Sequence, residues 1–275
     1  MTGSGRESFK EIFSKEETLM SDEHLLYRVE NNTAYITINR EKQRNAITPE
    51  AIELFHDYLD RAGTDPDVRA VLVTGAGDKA FCTGAQLGDG LSSDGRKVFA
   101  RYADLLKRLA TFPKPTVARV KGFCLAGGTG FMLACDIVVA SDDSSFGTPE
   151  VNVGLWPMMI GALIFRNVPR KKAMEMILLG ERIRAAEALA MGLITRVVPA
   201  VDLDGAVDAV LKNLAAKSPI GMKIGKEAFH AAEGMDLEEA LDYLSIKIAE
   251  VASTEDAREG ITAFIEKRQP VFRGR

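Results

Sequence analysis

Three short apolar runs constrain the fold of this chain most tightly: "VRAVLVTG" at 68–75, "TVARVKG" at 116–122 and "DIVVAS" at 136–141. Each is nearly continuous in apolar residues rather than alternating, the pattern of a strand buried on both faces. The stretches between them carry helical signals. "GRKVFARYADLLKRLATF" reads as a helix closed by "PKP", and "GGTGFMLAC" reads as a second. Strand and helix therefore alternate, which predicts an α/β core. A chain of 275 residues with 46% apolar content can bury such a core in one large domain, or in a domain with an appendage.

Upstream, "LLYRVENNTAYITINR" holds two β-rich runs around Asn31 and Asn32, residues that tolerate positive φ, and predicts a hairpin. "ITPEAIELFHDYLDRA" follows with Thr48 as N-cap, Pro49 at the first helical position and Glu50 in the first turn. After about Pro157 strand signals largely stop. Helical periodicity continues through "PRKKAMEMILLG", "RAAEALAMG", "DLDGAVDAVLKNLAAKS", "PIGMKIGKEAFHAAEG" and the run from Leu237 onward. The organisation expected is a loose leader over 1–20, a core over 21–200 and a helical region over 201–275 that continues from the core without a long linker.

Charge and cysteine content exclude several classes. The net charge of −4 leaves no basic footprint, so nucleic acid is not an expected partner. Cys82, Cys124 and Cys135 make no C-x-x-C pair, and an odd count of 3 argues for a reducing compartment, here the cytoplasm. His24, His56 and His230 lack metal-ligand spacing, so no metal site is expected. The leader lacks the apolar core of a secretory signal, although Phe9, Ile12 and Phe13 can form an amphipathic turn. No apolar segment reaches the ~18 residues needed to span a bilayer, and no membrane partner is expected.

The costliest local choice is "LAGGTGFMLACD", Leu125 to Asp136, which opens a helix with glycines at 127, 128 and 130. Glycine in a helix costs about 1 kcal/mol relative to alanine. Close packing of helix on sheet is one reason to accept it. A second is chemical: the first N–H groups of a helix lack intrahelical partners, and glycine lets a ligand approach them. The spacing matches neither a P-loop nor G-x-G-x-x-G, so a dinucleotide site is unsupported. A similar junction, "FCTGAQL" at Phe81 to Leu87, offers another N–H at Ala85. Two such turns aimed at one point make an oxyanion hole.

The ordered set "NAIT" at Asn45, "VLVTGAGDKAFCTGAQL" at Val71, "KPTVARVKGFCLAGGTGFMLACDIVVAS" at Lys114, "FGTPEVNVGL" at Phe146 and "EGITAFIEKRQP" at Glu259 resembles the crotonase superfamily, the enoyl-CoA hydratase/isomerase family. The similarity runs from about Leu25 to the end. It implies an α/β crotonase-like spiral of ββα units with a C-terminal helical trimerisation region, assembled as a trimer or a dimer of trimers. It also implies an acyl-CoA thioester substrate, with coenzyme A part of that substrate and no separate cofactor. The thioester oxygen maps onto the N–H groups of Ala85 and Gly127, with Gly127 and Gly128 allowing its close approach.

Two glutamates mark the hydratases that this chain resembles. The second is present as Glu150, but the first position reads Gly130. Locally, Glu150 after Pro149 reads as a cap or turn carboxylate. The resemblance makes it a base, and apolar Val151, Val153, Leu155 and Trp156 would raise its pKa by desolvation. One carboxylate suffices to shift a double bond, whereas adding water is better served by two. The arrangement is similar to that of 3-enoyl-CoA to 2-enoyl-CoA isomerases. Hydration or another lyase or hydrolase reaction of the same fold is the alternative, with Gly130 leaving room for a catalytic water; a non-catalytic acyl-CoA-binding protein is a third.

Other positions carry two readings each. Trp156, Met158 and Met159 are ordinary core residues or the lining of an acyl pocket. Gln86, Leu87 and Gly88 fall in a loop expected to touch the CoA moiety, with Gln86 where Asp is common and Gly88 bringing no lysine of the kind often found there. Gly128 and Gly130 belong to the expected substrate-binding set. Lys267 and Arg268 form a solvated helix face or approach the CoA phosphates. Phe264 covers the pantetheine tunnel or packs at an interface.

Overall fold

The computed structural model describes residues 24–86 and 95–275. The expected leader, with Phe9, Ile12 and Phe13, and the expected contacts at Leu87 and Gly88 lie outside the described residues.

The hairpin forms as β1 (Leu25–Glu30) and β2 (Thr33–Ile38), antiparallel with Glu30 opposite Thr33. Asn31 and Asn32 adopt φ of 48° and 62°, the left-handed pair that matches hairpin twist. Thr48 caps the helix Pro49–Thr64 by accepting from the Ala51 N–H at 3.2 Å, with Pro49 at the first position. The apolar runs become β3 (Ala70–Gly75), β5 (Thr116–Val120) and β7 (Ile137–Ser141). These join β1 and β2 in one sheet, in the order β1-β2-β3-β5-β7-β10, where β10 is Arg196–Val198. All its pairs but the hairpin are parallel.

Why those runs are continuous follows from what covers each face. Val71, Val73, Ala118, Val120, Val138 and Ala140 enter the main core. Their neighbours Ala70, Leu72, Val117 and Val139 point to the other face, where Leu203, Val207, Val210 and Leu211 of the helix Leu203–Ala215 cover them. Arg119 points the same way from β5 and pairs with Asp204 at 2.7 Å, which satisfies a cation that would otherwise be costly to bury.

A second, smaller sheet was not apparent from periodicity. Its strands are short: β4 (Ala80–Cys82), β6 (Phe123–Leu125), β8 (Ser145–Gly147) and β9 (Ile183–Arg184), in that order. Each long strand of the first sheet is followed by a short strand of the second and then a helix. β3 and β4 lead to Gly95–Ala110, β5 and β6 to Gly127–Leu133, and β7 and β8, after an intervening turn, to Met158–Asn167. That succession is a spiral of ββα turns. β9 and β10 also correct the expectation that strands largely end near Pro157; at two and three residues they are too short to show a period.

The chain closes with helices Pro219–Ala232, Leu237–Ala252 and Glu255–Ile265. The second of these buries no residue within the single chain, and leaves Leu237, Leu241, Ile246 and Ile248 more than half exposed. Among the described residues no helix is long and apolar enough to cross a membrane, and no cluster of three or more His, Cys, Asp or Glu can hold a metal ion.

Candidate active site

The ends of the two glycine-bearing junctions meet. Gly84 (φ 98°) packs so tightly on the start of the Gly127–Leu133 helix that a Cβ there would lie 2.7 Å from the Ala126 Cβ and 3.2 Å from the Gly127 nitrogen. Beside it, Ala85 forms a parallel bridge with Ile47. The Ile47 N–H donates to the Gly84 carbonyl at 2.8 Å and the Gln86 N–H donates to the Ile47 carbonyl at 3.0 Å. In a parallel bridge those two bonds use the polar groups of Ile47 and of the residues flanking Ala85, so the Ala85 N–H points to the opposite side. The Gly127 N–H is the first of its helix and has no intrahelical acceptor.

Both residues line a cavity of about 660 Å³. Glu150 lies in its wall, on a 3-10 turn (Pro149–Val153) that begins after buried Thr148 and ends at Gly154 in the left-handed region. Asn152 anchors this turn to the Gly180 carbonyl at 3.1 Å. The Glu150 Oε2 is buried and accepts no hydrogen bond. Desolvation raises the carboxyl pKa above its ordinary value, and no neighbouring cation offsets this. A half-buried carboxylate with one unbonded oxygen and no ion-pair partner thus shares the wall of a largely apolar cavity with Ala85 and Gly127.

Trp156, Met158 and Met159 also line the cavity, with Val98, Phe99, Leu155 and Ile160, and the exposed Trp156 and Met158 are not core residues. Gln86 lines it too, its Oε1 accepting from Arg40 at 2.7 Å. Phe264 and Lys267 do not reach this cavity within the chain. Phe264 is 84% exposed and borders a separate groove at the C-terminal helices, while Lys267 ends its helix with φ of 56°.

Two glycine assignments change. Gly128 does not face the cavity; a Cβ there would run into the Cys82 backbone, its carbonyl carbon at 2.7 Å, so this glycine serves helix-on-strand packing. Gly130 is not a cavity-lining position either, nor does it leave room for water. A Cβ at 130 would collide with the Tyr102 hydroxyl and lie 2.5 Å from the Ile160 Cγ2. Tyr102, from the helix Gly95–Ala110, thus fills the space, and it is the site residue that the sequence did not reveal. Its hydroxyl donates to the Gly127 carbonyl at 2.6 Å. Burial pushes the phenol pKa well above its ordinary value, helped by Cys82 and Glu150. The cysteines are buried and free, and Cys82 is pushed up to about 12, so none supplies a thiolate nucleophile at neutral pH.

The ββα spiral thus brings two backbone N–H groups and one partly desolvated carboxylate to the wall of one largely apolar cavity. The sequence profile of the enoyl-CoA hydratase/isomerase family matches residues 28–275, and the chain belongs to that family, within the crotonase superfamily. It is 36% identical to a putative enoyl-CoA hydratase of Thermus thermophilus over 247 residues, 88% of this chain and 97% of the relative. It is 34% identical to the (E)-benzylidenesuccinyl-CoA hydratase of Thauera aromatica, covering 90% of this chain and 97% of that protein. Among solved structures, an enoyl-CoA hydratase from Bacillus anthracis superposes with a TM-score of 0.88 at 30% identity, covering 92% of this chain and 100% of that one.

Proposed function

We propose that this acyl-CoA enzyme shifts a double bond, converting a 3-enoyl-CoA to a 2-enoyl-CoA with Glu150 as its single base. The observation that carries the reading is the pairing of a desolvated Glu150 with the closed space at Gly130, where Tyr102 and Ile160 leave no place for a second carboxylate. The ionised Glu150 takes a proton from the carbon next to the thioester. The electron pair moves into the carbonyl, and the enolate oxygen is held by the N–H groups of Ala85 and Gly127; one such donor is worth about 10²–10³ in rate. The protonated Glu150 then gives its proton to carbon 4, the carbonyl re-forms and the double bond closes between carbons 2 and 3.

Nothing in this sequence of steps needs a metal or a separate cofactor. Hydration is the second reading, favoured by the names of the relatives. It requires Glu150 both to activate water and to supply the α-proton, without a partner. Assaying 3-enoyl-CoA isomerisation and 2-enoyl-CoA hydration side by side on the same enzyme separates the two. Isomerisation is expected to exceed hydration at least about 100-fold, the lower end of what one acid or base contributes. Comparable rates would decide for hydration, and neither activity would leave another lyase or hydrolase reaction of the fold, or acyl-CoA binding alone.

A further inference from the structure

We infer that Tyr102 is a positioning residue of the oxyanion site: its hydroxyl pins the peptide that follows Gly127 and so fixes the direction of the Gly127 N–H. This rests on the reading of Ala85 and Gly127 as the donors to the thioester oxygen, but not on which reaction follows.

The need for such a pin comes from the segment itself. Gly127 and Gly128 are consecutive and have no side chains to lock their backbone. Ala126, just before them, sits at φ 50° and ψ −131°, a region that a residue with a Cβ occupies only when its surroundings over-determine it. On the near side two backbone bonds do so: the Ala126 N–H donates to the Gly147 carbonyl and the Thr129 N–H to the Ala126 carbonyl, both at 2.9 Å. On the far side, Tyr102 is the side chain that reaches the Gly127 carbonyl. The Gly127 N–H lies in the peptide plane of the Ala126 carbonyl, which Thr129 holds, and Tyr102 holds the next plane, so that rotation about the two Gly127 backbone bonds between them is restricted.

Tyr102 is itself fixed. Its ring meets Phe131 edge-on with centroids 5.4 Å apart, and Phe131 stacks on Phe55 at 5.5 Å. The side chain is 7% exposed. Because its proton is engaged on Gly127 and the phenol stays neutral, Tyr102 does not replace the acid missing at Gly130. It acts through Gly127, and the glycine at 130 is what makes room for it.

Tyr102→Phe keeps the ring and deletes the hydroxyl. The readout that a purely structural role would not move is the infrared carbonyl stretch of bound butyryl-CoA, a saturated thioester that undergoes neither reaction. Wild type should lower that frequency relative to free butyryl-CoA, and the variant should lose about half of the shift. Its kcat should fall about tenfold with KM within about twofold, since the donor is most needed for the enolate. The pH midpoint of kcat should not move.

Leu106→Ala provides the control for packing, because Leu106 borders the same space at Gly130 and has no group that can hydrogen-bond the Gly127 carbonyl. It should lower thermal stability and leave the carbonyl shift intact. A Tyr102→Phe enzyme with the wild-type carbonyl frequency would overturn the inference, whatever its kcat. Leu106→Ala reproducing both losses would overturn it as well. Wild type without any carbonyl shift would remove the oxyanion reading and this inference with it, whereas a shift in an enzyme that hydrates rather than isomerises would leave the inference standing.

Discussion

Glu150→Gln should abolish most isomerisation while making the protein more stable. Among the described residues Glu150 is the one carboxylic acid in the cavity wall, and a positioned general base contributes about 10²–10⁴ in rate. A kcat reduced about 1,000-fold is expected, with acyl-CoA binding within about threefold, because the donors at Ala85 and Gly127 and the apolar lining are untouched. The stability change follows from the direction of the pKa shift. Burial raises the Glu150 carboxyl above its unfolded value, so the folded chain holds its proton more tightly. Stability is therefore lost as pH rises through that range, where the fold must keep an unpaired charge out of water. Glutamine carries no such charge. At pH 8 the variant should melt roughly 1–2 °C above wild type, and the difference should vanish below the ordinary carboxylate value of about 4.3. Thermal melts across that range, beside a kcat measurement, check both halves. An inactive variant that is also less stable at pH 8 would mean that Glu150 is a structural carboxylate.

The second large effect concerns the position where a carboxylate is missing. Gly130→Glu should not create a hydratase; it should unfold the helix start. The first carbon of the new side chain would already collide with the Tyr102 hydroxyl, with Ile160 at 2.5 Å and Leu106 at 3.3 Å. Overpacking and an unpartnered buried carboxyl together should cost about 3 kcal/mol or more, read as a lower midpoint in urea. Tyr102→Ala in the same chain should recover part of that loss, although the substitution alone opens a cavity. A double-mutant cycle should therefore show a favourable coupling of at least about 1 kcal/mol. Wild-type stability for Gly130→Glu alone would show that the space at 130 is not closed by Tyr102 and Ile160.

That space shows why only part of the site was legible in the sequence. The doubly buried strands, the Asn31-Asn32 turn and the Thr48-Pro49 helix start all express local rules, and each formed where those rules put it. The short strands β4, β6 and β8 have three residues each, too few for a period to register, although they carry the ends of the glycine junctions. Glu150, Ala85 and Gly127 were traceable through ordered motifs, and the cavity brings them together. Gly128 was misread because two reasons for a glycine, ligand approach and strand packing, look alike until Cys82 is seen against it. Tyr102 carried no signal of its own. In the helix Gly95–Ala110 it reads as one more core-facing aromatic, and its meaning comes from Gly130, which the fold alone makes its neighbour.

The measurement that bears most directly on a single base is the fate of the proton it removes. Isomerisation of a 3-enoyl-CoA carrying deuterium at carbon 2, followed in ordinary water with the product's carbon 4 read by mass spectrometry, tests it. Glu150, partly desolvated and with its Oε2 unbonded, should return part of that deuterium to carbon 4 within a single turnover. Product that carries only solvent hydrogen at carbon 4 from the first turnover, with the deuterium lost to water, would contradict the proposal that one carboxylate carries the proton between the two carbons.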